Sequence, residues 1–149
     1  MEQLTEFSAA FLRMFVQPDV LISVIIGTVV GLMLGAIPGL TSTVGIVLLI
    51  PFTFYMSPLA AISMVYAVHK ASNYGGSIPA ILLHTPGTPA AACTQLDGYP
   101  LTLQGKRGKA LKTAVISSAI GDFMSDIVLI FATVYIAPVS YTHLTLPTN

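Results

Sequence analysis

Apolar residues come in long runs along this chain, separated by short stretches rich in glycine, proline and hydroxyl residues. The clearest run, Val20–Ile37, has 18 residues and no charge. That is about the shortest helix that crosses a hydrocarbon core of roughly 30 Å. A second run, Thr113–Ala137, is longer and contains only two charged residues. The pattern therefore predicts two membrane-crossing helices, one near each end of the chain.

Three glycines recur every four residues in the first run, at Gly27, Gly31 and Gly35. This spacing places them on one face of a helix. A ridge of such small residues lets a second helix approach closely inside a membrane. The ridge predicts tight helix packing and indicates no particular function.

The apolar runs between these two helices are shorter. Val44–Met56 is interrupted by Pro51, and Leu59–Val68 follows a Ser57-Pro58 pair. Neither reaches the length of a full span. The sequence leaves two interpretations open here, one kinked crossing or two partial helices.

The stretch Ser72–Pro100 is rich in residues that break helices, yet its centre, Ile78–Leu83, is apolar. Irregular backbone is tolerated at membrane depth only where protein or a water-filled cavity surrounds it. We therefore expect a re-entrant or discontinuous segment here. A loop in water is the alternative, which the apolar runs on both sides disfavour.

The two ends of the chain differ from its centre. Residues 1–19 carry apolar residues at helical spacing, which predicts an amphipathic helix lying at the membrane interface or packing on the rest of the protein: Leu4, Phe7, Phe11, Met14 and Phe15. Residues 20–138 form the expected transmembrane part. Residues 139–149 are polar, uncharged and unrelated in character, and resemble translated adapter read-through, so we expect this tail to be non-native and without function.

Composition supports a membrane protein. Hydrophobic residues make up 54% of the 149 residues and charged residues 8%, against roughly 25% charged in soluble domains. The formal net charge of zero gives no reason to expect a nucleic-acid partner. A single cysteine, Cys93, excludes an internal disulfide and a cysteine metal cluster. Four of the six basic residues lie between Gln104 and Lys112, which predicts a short cytoplasmic loop.

Three strings carry a resemblance to a known family: GLMLGAIPGLTSTVGIVLLIPFTF (31–54), YGGSIPAILLHTPGTPAAACTQLDGYPL (74–101) and QGKRGKAL (104–111). They resemble the large membrane subunit of tripartite tricarboxylate transporters, the TctA-type permeases. The resemblance implies an all-α, polytopic helical bundle in the bacterial inner membrane, of which this chain is roughly the N-terminal third and therefore an incomplete part. It also implies a small membrane subunit and a periplasmic solute-binding protein as partners, and import of citrate or related carboxylates driven by an ion gradient.

The expected transport path lies at the breaks, the short stretches rich in glycine, proline and hydroxyl residues that interrupt the apolar runs. Discontinuous helices in secondary transporters direct their partly positive N-terminal ends at anionic groups near the membrane midplane. Gly39–Thr43, Gly75–Ser77 and Thr85–Thr88 are the three candidate ends. The residues expected to line the substrate and ion path are Pro38, Gly39, Thr41, Ser42, Gly75, Gly76, Ser77, Pro79, Thr85, Gly87 and Thr88. Each glycine and proline has tight packing as an equally good explanation.

Ionisable residues at membrane depth are usually functional. Asp122 and Asp126 lie four residues apart on one helical face, and are candidates for coupling transport to Na⁺ or H⁺. No other cofactor is expected.

His69 and Lys70 end an apolar run, where reaching to the interface is the ordinary explanation. The family more often has asparagine at the place of His84, and Asp97-Gly98 is typical of a tight turn.

Two other classes of function compete with a carrier. A channel or a structural membrane subunit is poorly excluded by the residues alone. An intramembrane enzyme needs a nucleophile with a nearby base, or metal ligands at helical spacing, and the isolated histidines supply neither.

Overall fold

The computed structural model describes Leu12 and residues 16–144. Within them every regular element is helical: α1 (Pro18–Ala36), α2 (Ser42–Thr53), α3 (Pro58–Gly75), α4 (Ser77–Leu83), a 3₁₀ turn (Pro89–Ala92), α5 (Thr94–Leu103) and α6 (Arg107–Leu144). The apolar stripe expected between Leu4 and Phe15 lies outside the described residues, as do the last residues of the tail.

Helix α1 is the first predicted span, and its ends follow from local chemistry. It begins at Pro18, whose fixed φ angle and missing N–H suit the first helical position. It stops before Ile37, which is extended at φ −92° and ψ 113°, because the following Pro38 disfavours helical backbone in the residue before it. At about 1.5 Å per residue α1 is about 28 Å long, enough to cross a membrane.

The glycine ridge of α1 packs against α3. A Cβ added at Gly27 would lie 2.6 Å from the carbonyl oxygen of Met64, and one added at Gly31 would lie 2.5 Å from that of Val68. Gly35 meets Ser72 in the same way. Because the contacts advance by four residues in both helices, α1 and α3 run parallel. The predicted close approach is confirmed, with α3 as the partner.

Helix α2 returns the chain from the end of α1 to the start of α3. Its 12 residues span about 18 Å, and its Gly45 packs against Leu34 of α1 and Val68 of α3. Helix α3 has 18 residues, because it continues past the apolar run as far as Gly75. The interpretation as one kinked crossing is therefore wrong, since two separate helices are formed and the second is nearly a full span.

The segment after α3 is discontinuous, as predicted. Gly76 separates α3 from the short α4, and the 3₁₀ turn and α5 follow. Helix α5 ends in a Schellman motif, in which Lys106 N–H donates to Leu101 C=O and Gly105, at φ +75°, donates to Thr102 C=O. Asp97 lies inside α5, so the predicted Asp-Gly turn is wrong. The helical bonds around it prevail over the local turn preference of that pair.

Helix α6 contains the second predicted span. It begins at Arg107, so most of the expected basic loop is helical and only residues 104–106 form a turn. Lysine, alanine and leucine in this stretch are good helix formers, which explains the earlier start. The described residues up to Ala114 form one compact unit and those from Val115 onward a second. Of the described residues, Pro18–Ala36 and Arg107–Thr133 are long and apolar enough to cross a membrane.

Candidate functional site

The first break, residues 37–41, leaves an open helix N-terminus. Gly39 adopts φ +93°, and nothing lies within 4 Å of a Cβ added there. Thr41 is the N-cap of α2, but its side chain makes no capping bond. The amides of the first helical turn have no partners within the helix. Half-exposed hydroxyls and unbonded amides therefore share the positive end of α2.

A histidine from α3 contacts the first residue of α2. The Nδ1 atom of His69 lies 3.2 Å from the Oγ atom of Ser42. Which group donates depends on the tautomer of the imidazole. The contact joins residues 27 positions apart in the chain, and we find no local pattern that would have revealed it. His69 was expected only to reach toward the membrane interface, so the structure adds it to the candidate site.

The second break, at Gly76, is closed by close packing. Gly87 lies against the carbonyl of Gly35, the Cα atom of Gly76 and the ring of Pro79. Gly76 in turn lies against the backbone and side chain of Thr88. A Cβ at Gly75 would lie 2.7 Å from the carbonyl oxygen of Leu32. The structure thus brings five of the predicted site residues together at the C-terminal end of α1: Gly75, Gly76, Pro79, Gly87 and Thr88.

The amides at this second break have partners. Gly76 keeps helical backbone, and its N–H donates to Ser72 C=O at 3.0 Å. Gly87 N–H donates to Gly76 C=O at 3.1 Å. The chain therefore passes from α3 into α4 with few donors left for an anion. The two breaks, similar in sequence, differ in what they offer a ligand.

Two buried hydroxyl groups near Gly76 have no hydrogen-bond partner. Ser72 is 0% exposed and Thr88 is 5% exposed, and the oxygen of each side chain is unpartnered. Such groups are uncommon in native proteins and call for an explanation. Sequence reasoning selected Thr88 and missed Ser72, which lies within a helix and outside the motif.

The remaining predicted residues of this region separate into buried and exposed positions. Ser77, at the start of α4, is buried. Thr85 is exposed, and its hydroxyl donates to Leu83 C=O at 3.3 Å. His84 ends α4 in the left-handed region at φ 57°, with its ring 4.5 Å from that of Tyr99. Thr85 is therefore not part of the buried cluster.

Asp122 and Asp126 lie one turn apart on α6, in the second unit, and both are half-buried. In the described part of the chain, no group of three or more His, Cys, Asp or Glu side chains could hold a metal ion. The coupling role of the two aspartates stays a prediction.

Comparison with known proteins identifies the family. A sequence model of the "Tripartite tricarboxylate transporter TctA family" matches residues 21–145. Since the match covers most of the chain, the chain belongs to this family of transporters. It is an all-α membrane protein, and its family is one component of a tripartite system with other subunits. The resemblance given by residues 31–54, 74–101 and 104–111 is confirmed.

A curated relative gives the scale of the match. The chain is 35% identical over 104 residues to the "Uncharacterized 52.8 kDa protein in TAR-I ttuC' 3'region" of Agrobacterium vitis. The aligned part is 70% of this chain and 21% of the relative, so the chain spans about a fifth of the relative's length. No solved structure matches.

Proposed function

We propose that this chain forms part of a multi-pass permease of the bacterial inner membrane that imports tricarboxylates or related small carboxylates. The permease is driven by an ion gradient and works with a small membrane subunit and a periplasmic solute-binding protein. It is a carrier subunit and not an enzyme. Membership of the TctA family supports the transport class, and the first break supports the chemistry of the substrate.

The observation that carries the substrate class is the uncapped N-terminus of α2. Thr41 leaves the amides of the first turn uncapped, and these amides point out of the positive end of the helix. Such an end stabilises negative charge without a fixed cation. Neutral donors suit a carrier, because a bound carboxylate must also be released.

His69 strengthens this assignment. Its Nδ1 atom holds the Ser42 hydroxyl at 3.2 Å, at the first residue of α2. In this proposal the Nδ1–H group of His69 donates to Ser42 Oγ. The hydroxyl hydrogen of Ser42 is then available to one carboxylate oxygen, while the amides of the first turn contact another. Gly39 permits the reversal of the chain that exposes this end, since its φ of +93° is unfavourable for residues with a side chain.

The test is uptake of labelled carboxylate into vesicles. The longest natural chain that carries this sequence is reconstituted with its partner subunits, under a sodium or a proton gradient. We expect S42A to raise the carboxylate concentration for half-maximal uptake by roughly tenfold, the size for a hydrogen bond to a charged group. T53A is the matched control, because Thr53 also lies on α2 but its hydroxyl bonds the carbonyl of Ile50 at 2.6 Å.

Two results would contradict the proposal. Absence of uptake across a panel of mono-, di- and tricarboxylates under both gradients would exclude a carboxylate carrier. Currents of single channels that persist without the binding protein would indicate the channel alternative.

A further inference from the structure

Ser72 and Thr88 each bury a hydroxyl oxygen that has no partner. Leaving such a group unsatisfied costs about 1–3 kcal/mol. Among the described residues the Oε1 atom of Gln95 in α5 is also buried without a partner, whereas the hydroxyls of Ser42 and the exposed Thr85 both have hydrogen-bond contacts.

The two hydroxyl groups belong to one place in the fold. Ser72 and Gly76 lie one turn apart on the same face of α3. Gly35 packs on Ser72, and Thr88 packs on Gly76. Gly87 joins the two contacts, since it touches both the carbonyl of Gly35 and the Cα atom of Gly76.

The polarity of this place favours a cation. Helix α1 ends at Ala36, and the carbonyls of a last turn lack intrahelical partners and carry partial negative charge. The Gly35 carbonyl is one of these, and it faces Gly87. Pro79 has no N–H, so it cannot bond the carbonyl of Gly75 one turn before it. Hydroxyl and carbonyl oxygens are the hard ligands that alkali cations prefer.

The ligands also select the kind of cation. All are uncharged, and the cost of removing an ion from water rises steeply with its charge, which disfavours a divalent ion. Hydroxyls and carbonyls do not bind a proton at neutral pH. Glycine at positions 35, 76 and 87 brings the backbone segments into close contact, which favours Na⁺ over the larger K⁺.

We propose that Ser72 Oγ, Thr88 Oγ1 and the carbonyl of Gly35 bind a dehydrated Na⁺ where α1 ends against Gly76 and Gly87. The proposal rests on the proposed function in one respect, that this ion is the one coupled to carboxylate uptake. Residues 36–40 alone separate Gly35 from the anion end at Thr41, so a cation at one end lowers the electrostatic cost of an anion at the other.

The experiment measures binding and stability separately from transport. Equilibrium binding of radioactive Na⁺ and the thermal unfolding midpoint are recorded for the longest natural chain carrying this sequence, purified with its small membrane partner. Choline replaces Na⁺ at constant ionic strength in the reference samples. The variants are S72A and T88V, which each remove one hydroxyl, T88S, which keeps the oxygen, and S23A as control. Ser23 is also a buried serine, but its hydroxyl already bonds Asp19 C=O at 2.6 Å.

We expect Na⁺ to bind the wild type and raise its unfolding midpoint. S72A and T88V should each weaken Na⁺ binding by roughly tenfold or more, the effect of removing one ligand to a charged group. In choline both should be at least as stable as the wild type, because an unsatisfied buried hydroxyl is lost. T88S should retain binding, and S23A should leave it unchanged.

Two outcomes would overturn the site. Unchanged Na⁺ binding in both S72A and T88V would show that these oxygens do not hold the cation. Equal unfolding midpoints of the wild type in Na⁺ and in choline would show that no Na⁺ is bound. Carboxylate uptake is measured on the same preparations. If S72A and T88V bind Na⁺ normally and carboxylate is taken up, the Na⁺ site is wrong and the proposed carrier function stands. If these variants lose Na⁺ binding but the wild type takes up no carboxylate, the Na⁺ site stands and the proposed carrier function is wrong.

Discussion

The two breaks of this chain have similar compositions and different structures. Residues 37–41 form an open turn in which a Cβ added at Gly39 would meet no atom within 4 Å, while Gly76 and Gly87 are buried against backbone and side-chain atoms. The first break leaves the amides that begin α2 uncapped, and the second uses its amides internally. Glycine thus serves chain reversal in one break and close packing in the other. In the two proposals above, the first break accepts an anion and the second a cation.

The largest effect should come from filling the second break. In G87A the added methyl group would meet the carbonyl of Gly35 and lie 2.9 Å from the Cα atom of Gly76, both of which are backbone. We expect a loss of about 3 kcal/mol or more of stability, as for severe overpacking, measured by thermal unfolding of the purified permease.

Gly108 provides the control for this substitution. It lies in α6 with nothing within 4 Å of an added Cβ. G108A should be neutral or stabilising by up to about 1 kcal/mol, because alanine favours a helix over glycine. Equal effects of G87A and G108A would show that the second break is not closely packed.

A smaller effect is expected from the matching change in the first break. G39A meets no atoms, but it places a side chain at φ +93°, which costs about 1–2 kcal/mol for residues other than glycine. G39N should cost less, because asparagine tolerates this region better. A loss as large as that of G87A would remove the distinction between an open and a packed break.

Removing the histidine should affect transport more than stability. H69F deletes the partner of Ser42, and we expect the carboxylate concentration for half-maximal uptake to rise by about fivefold, within the range for one hydrogen bond. H69Q retains a polar partner and should lie between H69F and the wild type. Unfolding midpoints should be nearly unchanged, since His69 is exposed. A stability loss without a change in uptake would assign His69 to packing alone.

The smallest effect is expected at the opposite end of the α1–α3 pair. Ser57 donates a hydrogen bond to the Oδ2 atom of Asp19 at 2.8 Å, at an exposed position. S57A should therefore cost about 0.5–1 kcal/mol and leave carboxylate uptake unchanged. A loss of uptake in S57A would mean that the path extends to this end of the pair.

Much of the fold could be predicted from the sequence. The spans at Val20–Ile37 and Thr113–Ala137 followed from uninterrupted apolar length, and the ridge at Gly27, Gly31 and Gly35 followed from helical spacing. Both are local properties of a single helix. The partner of the ridge, α3, could not be deduced, because its register depends on contacts across more than 30 residues, such as Gly35 with Ser72.

The candidate site could be predicted only in part. Glycine, proline and hydroxyl residues located the breaks, but they could not separate an open break from a packed one. That difference depends on what surrounds each glycine in three dimensions. Ser72 and His69 were missed for the same reason, since each is an ordinary helical residue until α1 or α2 lies beside it.

The most direct test of the account is protection of the first break by substrate. T41C and T85C are each made in a C93A background, because Cys93 is exposed, and the rate of thiol modification is measured in the reconstituted permease. We predict that a transported carboxylate slows the modification of T41C and leaves that of T85C unchanged. Equal protection of both positions, or none at T41C, would contradict the assignment of the anion to the N-terminus of α2.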